Sequence, residues 1–326
     1  MVNGKLGGKM TALAATVMDK ETRRKKKQAI RKRNLPLHLM MLPAVLLLFV
    51  YNYIPMAGLL MAFEDFKPKL GPIGLVASPW VGFKYFKQLF LRDDFFEVLY
   101  NTVSIAVMKL IFMFIVPLVI ALLFNEMKNM KLKRSIQTIV YIPHFLSWTI
   151  LAGIFKEVLG LDGFVNNILN ALGFETVFFL GTPSIFPAVI VATDVWKEFG
   201  FSTILFLAAI TGIDPTLYEA AQIDGAGRIK QVWHVTLPGI QNILILCIVI
   251  SLGGILNAGF EQILLLGSTP VASTGEVIDT LVYRIGMGKM LYSLSTALGL
   301  FKSVVSLLLV SLSYWLAKKL ANYTIF

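Results

Sequence analysis

Along most of this 326-residue chain, long apolar stretches alternate with shorter polar ones. Six apolar stretches stand out: Leu37–Ala62, Val98–Phe124, Ile136–Phe155, Ile185–Ile210, Ile240–Leu266 and Leu294–Leu316. A helix rises about 1.5 Å per residue, so about 20 apolar residues cross the roughly 30 Å hydrocarbon layer of a bilayer. Lipid offers the backbone no hydrogen-bond partners, and a helix satisfies its own. The pattern therefore predicts an all-α, polytopic membrane bundle with about six transmembrane helices. Pro43, Pro55, Pro117 and Pro143 are expected at kinks or at turns near helix ends.

Composition strengthens that reading. Hydrophobic residues make up 56% of the chain and charged residues 15%, against about 25% charged in soluble domains. Length alone would allow about two soluble domains, but the gathering of apolar residues into runs favours one bundle. The single cysteine, Cys247, excludes a disulfide framework or a cysteine metal site within the chain. His38, His144 and His234 lie far apart without His-Glu-x-x-His spacing, so a metalloprotease lacks its ligands and each histidine is expected to be interfacial or packed.

The formal charge is +11, yet its distribution argues against nucleic acid as a partner. Eleven Lys and Arg precede the first run, nine of them in "KETRRKKKQAIRKR" (Lys20–Arg33). This gives a basic arm over residues 1–34 ahead of a membrane domain over 35–326. With six spans both tails share one side, which carries nineteen Lys and Arg outside the spans against eight on the other. The positive-inside rule then places both termini in the cytoplasm. The arm also suits anionic lipid headgroups, at about 1 kcal/mol per basic residue near the surface. A secretory signal peptide is not expected, because the first apolar run is too long for an h-region and begins after 36 residues.

On the external side, Phe63–Val98 is rich in Gly, Pro and aromatic residues and is expected to form an ordered cap. A second external stretch, Lys156–Ser184, contains "GFVNNILNALGF", which reads as a short amphipathic helix at the interface.

The cytoplasmic stretch "GIDPTLYEAAQIDGAGRIKQVWHVTLPGI" (Gly212–Ile240) is unusually specific for a connector. Asp214 suits a helix N-cap and Pro215 the first turn. Gly225 can take the left-handed conformation that stops the helix. Ile229, Val232, Trp233 and Leu237 then mark one face of a second helix that Pro238 closes. A helix-turn-helix results, in which small Ala220 and Ala221 permit close approach and Glu219 and Asp224 offer charge-assisted hydrogen bonds. From pattern alone it either docks a partner or folds onto its own bundle.

Glu219-Ala220-Ala221, then Gly225, then Val235, Leu237 and Pro238 resemble the EAA loop of binding-protein-dependent ABC importer permeases. Only Val235, at an Ile-like place, departs from that pattern. The resemblance extends over most of residues 35–326, through "MLPAVLLLFVYNYIPMAGLLMAFEDF", "NTVSIAVMKLIFMFIVPLVIALLFNEM", "YIPHFLSWTILAGIF" and "DVWKEFGFSTILFLAAI". These look like the maltose-type sugar permeases, and most like the branch beside importers of complex polysaccharide fragments. The resemblance implies a type I importer (MetI-like) permease fold in a bacterial cell membrane, with the loop seated in a cleft of an ATPase subunit. Glu219, Asp224 and Gly225 would be central to that contact. It further implies a second, different permease chain, an ABC ATPase dimer and an external solute-binding protein that delivers a sugar or oligosaccharide. This chain has no phosphate-binding Gly-x-x-x-x-Gly-Lys-Ser/Thr: "YRIGMGKM" has Tyr283 and Met290 in place of the first Gly and the hydroxyl. No cofactor is therefore expected here, ATP and Mg²⁺ belonging to the partner, and the chain is not expected to be an enzyme.

Ionisable side chains at the centre of a span cost roughly 2.5–3.5 kcal/mol each and usually face protein or a pathway. Asp194, Lys197 and Glu198 all lie in the fourth run, with Asp194 and Lys197 spaced to pair on one face. Such a cluster either locks helix packing or lines a substrate path, where Trp196 and Phe199 would stack on sugar rings. Asn257 and Glu261 could add hydrogen bonds near the external end of the fifth run, although Gly253, Gly254, Ala258 and Gly259 there also suit close helix packing. Lys109 and Lys302 are candidates to pair with Asp194 or Glu198. Two rival readings remain: an ion-coupled secondary transporter built on Asp194, Lys197 and Glu198, and a membrane enzyme using Asp194 and His144.

Overall fold

The computed structural model describes residues 33–321. The basic arm therefore lies outside the described residues except for its last two positions. The chain divides into two compact units, Met1–Leu59 and Leu60–Phe326. The described part of the first unit is helical and belongs to α1, Arg33–Phe63. In the most apolar window of α1 no residue is buried, and its mean hydropathy of 1.9 suits a lipid surround. Pro43 does not interrupt it. Its hydrogen bonding widens at Phe49–Tyr53 and tightens from Ile54 onward, where Pro55 has no N–H to donate.

The second unit is a bundle of helices. In chain order after α1 come α2 (Lys84–Phe90), α3 (Phe95–Glu126), α4 (Met130–Tyr141), α5 (Trp148–Val158) and α6 (Phe164–Ala171). There follow α7 (Phe186–Thr211), α8 (Pro215–Ile223), α9 (Arg228–Gly239) and α10 (Gln241–Gly253). The last are α11 (Phe260–Leu266), α12 (Ile278–Tyr283) and α13 (Tyr292–Ala321). The first, second, fourth and sixth apolar runs coincide with α1, α3, α7 and α13 to within a few residues. Pro117 lies buried inside α3 without ending it, so of the kinks and turns expected at the prolines no turn forms here.

Two runs are not single helices. The third breaks at Pro143, where a turn over Ile142–Phe145 separates α4 from α5 and the chain bends by 105°. Proline donates no hydrogen bond and disfavours helix in the residue before it, so α4 ends at Tyr141. Ser147 restarts the helix, its hydroxyl accepting from the Ile150 amide at 3.4 Å. The fifth run breaks after Gly253, and its remainder forms the short α11. Gly259, just before α11, has φ +98°, a left-handed conformation that glycine tolerates and other residues rarely adopt. Hydropathy counts apolar residues, and both breaks lie within stretches apolar enough to hide them.

Among the described residues the core forms three clusters. One joins Ile105, Ala152, Phe186, Ile190, Ala258 and Ile263, and so fastens α3, α5, α7 and the broken fifth run together. A second, around Leu89, Phe95, Val98, Ile278, Leu281 and Leu298, lies at the α2 end. The third, Ala121, Phe206, Ile210 and Ile240, closes the opposite end.

Phe63–Val98 does form an ordered cap. Phe63 stacks on Trp80 at 5.5 Å, and Glu64 pairs with Trp80 in a lone antiparallel bridge. The Tyr85 hydroxyl donates to Asp65; burial, followed by that carboxylate, pushes the phenol up to about 12. At the start of α3, Asp94 receives hydrogen bonds from Arg92 at 2.8 and 2.6 Å and from Arg284 at 3.3 Å. The hydrogen bonds from Arg92 are the main reason its carboxyl sits below the usual range. Arg284 also grips Glu276 with two bonds of 2.6 and 2.8 Å.

The amphipathic segment does form α6, with a fully buried asparagine in its first turn. Asn166 donates to the carbonyls of Gly160 (2.8 Å) and Val177 (3.0 Å) and accepts from the Val177 amide at 2.9 Å. One side chain thus satisfies backbone groups on both sides of the helix. Asn166→Leu leaves them unpaired, at about 1–3 kcal/mol per buried group, and we expect a lower thermal unfolding midpoint in detergent than for Asn167→Leu, whose site is exposed.

Candidate functional site

The charged cluster predicted on the fourth run is present on α7, but its members do not pair as expected. Asp194 and Lys197 take different partners. Asp194 meets Lys109 of α3 at 3.0 Å, in agreement with one of the two candidate pairings. Lys109, itself buried, also donates to Gln262 of α11 at 2.6 Å. Gln262 in turn donates to the Ile190 carbonyl and the Thr193 hydroxyl, both at 2.7 Å, and Thr193 donates to the Val189 carbonyl at 2.7 Å. Three helices are thereby tied through one network.

Gly259 makes that network possible. A Cβ there would lie 2.6 Å from the Lys109 ammonium and 3.0 Å from Gln262 Oε1. The break in the fifth run therefore provides both the backbone turn and the space for a lysine.

One turn further along α7, Glu198 accepts from Lys197 at 2.5 Å and contacts His144 Nδ1 at 2.6 Å. Lys197 also donates to the His144 carbonyl at 3.1 Å and lies 5.8 Å from the centre of the Trp148 ring. The kink at Pro143 supplies that carbonyl, and His144 stacks on Phe201 with ring centres 4.0 Å apart. His144 and Asp194 serve separate pairs, so the acid and base imagined for an enzyme are not a pair.

Trp196 is exposed and meets Phe155 edge-on at 5.5 Å. With Leu159, Phe179, Val189 and Thr193 these two rings line a largely apolar cavity of about 290 Å³. Phe199 is half-buried. Asn257 and Glu261 are both exposed and flank Gly259. The second pairing proposed for Lys302 is corrected: it binds Asp279 at 2.6 and 2.8 Å and Asn257 at 2.8 Å, rather than Asp194 or Glu198. α13 carries Lys302 past α12, which presents Asp279, and its reach to α7 is not used.

Sequence reasoning missed Gln262, Thr193 and Asp279. Gln262 carried a legible signal, as an amide within an apolar run. Its partners did not, because they lie 69 to 153 positions away.

At the opposite end, the predicted helix-turn-helix is present as α8 and α9. The Asp214 side chain caps α8 by accepting from the Thr216 amide at 2.9 Å, and this bond holds its carboxyl below the usual range. Gly225, at φ +75°, ends it. The Ala226 amide donates to the Ala221 carbonyl at 2.8 Å and the Gly225 amide to Gln222 at 3.0 Å, the paired bonds of a left-handed helix stop. Tyr218 and Thr236 share a 3.0 Å bond across the two helices, and Gln231 donates to the Ala226 carbonyl at 2.9 Å. Glu219, Ala220, Asp224, Gly225 and Pro238 are exposed, while Ala221 and Leu237 are half-buried. Ile229 and Trp233 are 77% and 65% exposed, so the apolar face predicted for α9 is only partly covered by the bundle, and Ile223 at the end of α8 is 87% exposed.

Comparison with known proteins agrees with this architecture. Residues 113–322 match the family described as "Binding-protein-dependent transport system inner membrane component". The chain is 43% identical to Protein LplB of Bacillus subtilis (strain 168) over 292 residues, 89% of this chain and 91% of that protein. It is 40% identical to the polygalacturonan/rhamnogalacturonan transport system permease protein YteP of the same organism, over 89% of this chain and 90% of the other. It also superposes, with a TM-score of 0.82 and 36% identity, on a chain of the bacterial alginate ABC transporter solved in complex with an alginate pentasaccharide-bound periplasmic protein. That match covers 90% of this chain and 98% of the other.

Breaking a buried ion pair from one side strands the other charge, at about 3–5 kcal/mol, whereas replacing both partners with apolar groups is often neutral. We expect Lys109→Met to lower the unfolding midpoint in detergent sharply and Lys109→Met with Asp194→Leu to recover much of the loss. Equal damage in the single and double variants would show that the pair does not act as a unit.

Proposed function

Because the chain belongs to the family of binding-protein-dependent transport system inner membrane components, we propose that it is the permease of an ATP-driven importer for oligosaccharides cut from a polysaccharide. It is a non-enzymatic, multi-pass component of the bacterial inner membrane. Relatives named for polygalacturonan/rhamnogalacturonan and alginate transport support the substrate class. Family membership also decides against the ion-coupled alternative.

The observation that carries the coupling role is the exposed apolar surface of α8 and α9. Ile223, Ile229 and Trp233 project from a rigidly stopped helix-turn-helix that lies outside the spans. Apolar groups gathered at a polar boundary mark a binding surface. The occupant is an ATPase subunit, one of a pair that binds ATP and Mg²⁺, with Glu219, Ala220, Ala221, Asp224, Gly225, Leu237 and Pro238 at or near the contact. The charge asymmetry of the loops puts this surface and both termini in the cytoplasm. A second, different permease chain completes the pathway, and an external solute-binding protein delivers the sugar.

Movement of the coupling loop is transmitted by its attachments. α7 meets α8 at 69° and α9 meets α10 at 63°, each across a short break. Arg228 further ties α9 to Glu126 at the end of α3, at 2.9 Å. A shift of the loop therefore acts on three spans together. ATP drives the transition because the closed ATPase pair binds the loop better in one facing of the permease than in the other. Within the membrane, α7 contributes Asp194, Trp196, Lys197, Glu198 and Phe199 to the path, the paired charges presenting a polar but neutralised wall. Asn257 and Glu261 add hydrogen-bonding groups beside it.

Glu219→Lys and Gly225→Val are each expected to abolish uptake while leaving membrane insertion intact; wild-type uptake in both would remove the coupling role. In gentle detergent, the tagged native protein should retain an ATPase and a second permease on mass spectrometry, and Glu219→Lys should lose the ATPase. Recovery of the protein alone in several mild detergents would count against the importer assembly. Trp196→Ala combined with Asp194→Asn should depress uptake in an importer that still retains its ATPase, and normal uptake would remove the α7 segment from the path.

A further inference from the structure

The Lys302–Asp279–Asn257 group lies apart from the α7 charges, on α12, α13 and the break before α11. It borders an open cleft of about 470 Å³, also lined by Phe260, Tyr283 and Tyr292, within the roughly 300–1,000 Å³ typical of small-molecule sites. We propose that this cleft is a second saccharide subsite, which takes a pyranose unit by adjacent ring hydroxyls rather than by a carboxylate. The proposal rests on the importer reading above and adds to it a binding site and a basis for selection.

Two observations carry it. Lys302 lies ten residues into α13, about 15 Å along the helix from Tyr292, so an ion pair here lies at membrane depth. A charged pair beside an open cleft at that depth faces water or another polar surface, since facing lipid is costly. Aromatic surface borders the same space: Tyr283 is 45% exposed, and its ring lies 5.6 Å from that of Phe260. Such rings present flat apolar faces with a polar rim, which complement the C–H face and hydroxyl edge of a sugar.

The hydrogen-bond inventory sets the selectivity. A lysine ammonium has three donors, and those of Lys302 go to the two Asp279 oxygens and to Asn257 Oδ1. No lysine donor is left for a substrate carboxylate, and the pair is neutral. Each Asp279 oxygen keeps a lone pair, and the two can accept from neighbouring hydroxyls of one ring. The Asn257 amide N–H groups and the Tyr292 hydroxyl add donors for ring and bridge oxygens, while Tyr283 contributes its ring face.

The test uses the full chain in nanodiscs with its second permease and ATPase, and ligand-observed saturation-transfer NMR. The probes are a trigalacturonate, its neutral methyl ester, and a form with the ring hydroxyls O-methylated. The acid and the ester should both take up saturation, with ring C–H signals strongest, and O-methylation should weaken it to the level that Tyr283→Ala leaves. Tyr283→Ala should weaken the apparent affinity about tenfold for acid and ester alike, and Tyr283→Phe should retain it. Unchanged binding by Tyr283→Ala, or binding of the acid but not the ester, would overturn the subsite. So would the absence of any saturation in an assembly that still imports the trisaccharide. An assembly that retains its ATPase yet imports no saccharide would overturn the importer reading itself, and the subsite with it.

Discussion

A charge inside a hydrocarbon layer has to be neutralised by the protein, and this requirement organises the bundle around α7. That helix carries Asp194, Lys197 and Glu198: Asp194 pairs with Lys109 on α3, while Lys197 and Glu198 pair with each other and reach the carbonyl and the ring of His144 at the kink. The two departures from simple spanning helices follow from the same need. Pro143 bends the third run so that a freed carbonyl and an imidazole reach α7. Gly259 breaks the fifth so that Gln262 can join Lys109 and Thr193 in one network. Backbone irregularity is tolerated at membrane depth where it is buried in protein, and here it supplies the polar groups that the charges require.

The arrangement also suits a transporter that has two facings. A fully paired network is rigid, because breaking it from either side strands a charge. Helices joined through it move as a body, while the short breaks at Gly212–Asp214 and Ile240 join α8 and α9 to α7 and α10 at bends of 69° and 63°. Force applied to α8 and α9 is thus received by a block that includes α3, α7 and α11. The α7 charges and the aromatic cleft at α12 and α13 lie on separate elements.

Legibility in the sequence followed the range of the interaction. The N-cap at Asp214, the stop at Gly225 and the pairing of α8 with α9 all depend on contacts within about twenty positions, and all were predicted correctly. The α6 helix was also legible. Its buried Asn166 was not, because an asparagine that bridges two loop segments looks the same in sequence as the exposed Asn167 beside it. Lys109 with Asp194 was one of several possible pairings, and Lys302 was assigned the wrong acid because Asp279 lies in a stretch that hydropathy leaves unassigned.

The sequence by itself determined the membrane setting, the number of apolar runs, the helix-turn-helix of α8 and α9 and the family, since each rests on local composition or on residues at fixed short spacing. The tertiary structure decided which of those runs are broken and which charges meet. It also decided that an aromatic cleft forms around Lys302 and Asp279. The physical reason is that apolar content measures only the preference for lipid. The partner of a buried charge is chosen by whichever helix packing brings alongside it, and that depends on positions tens to hundreds of residues apart.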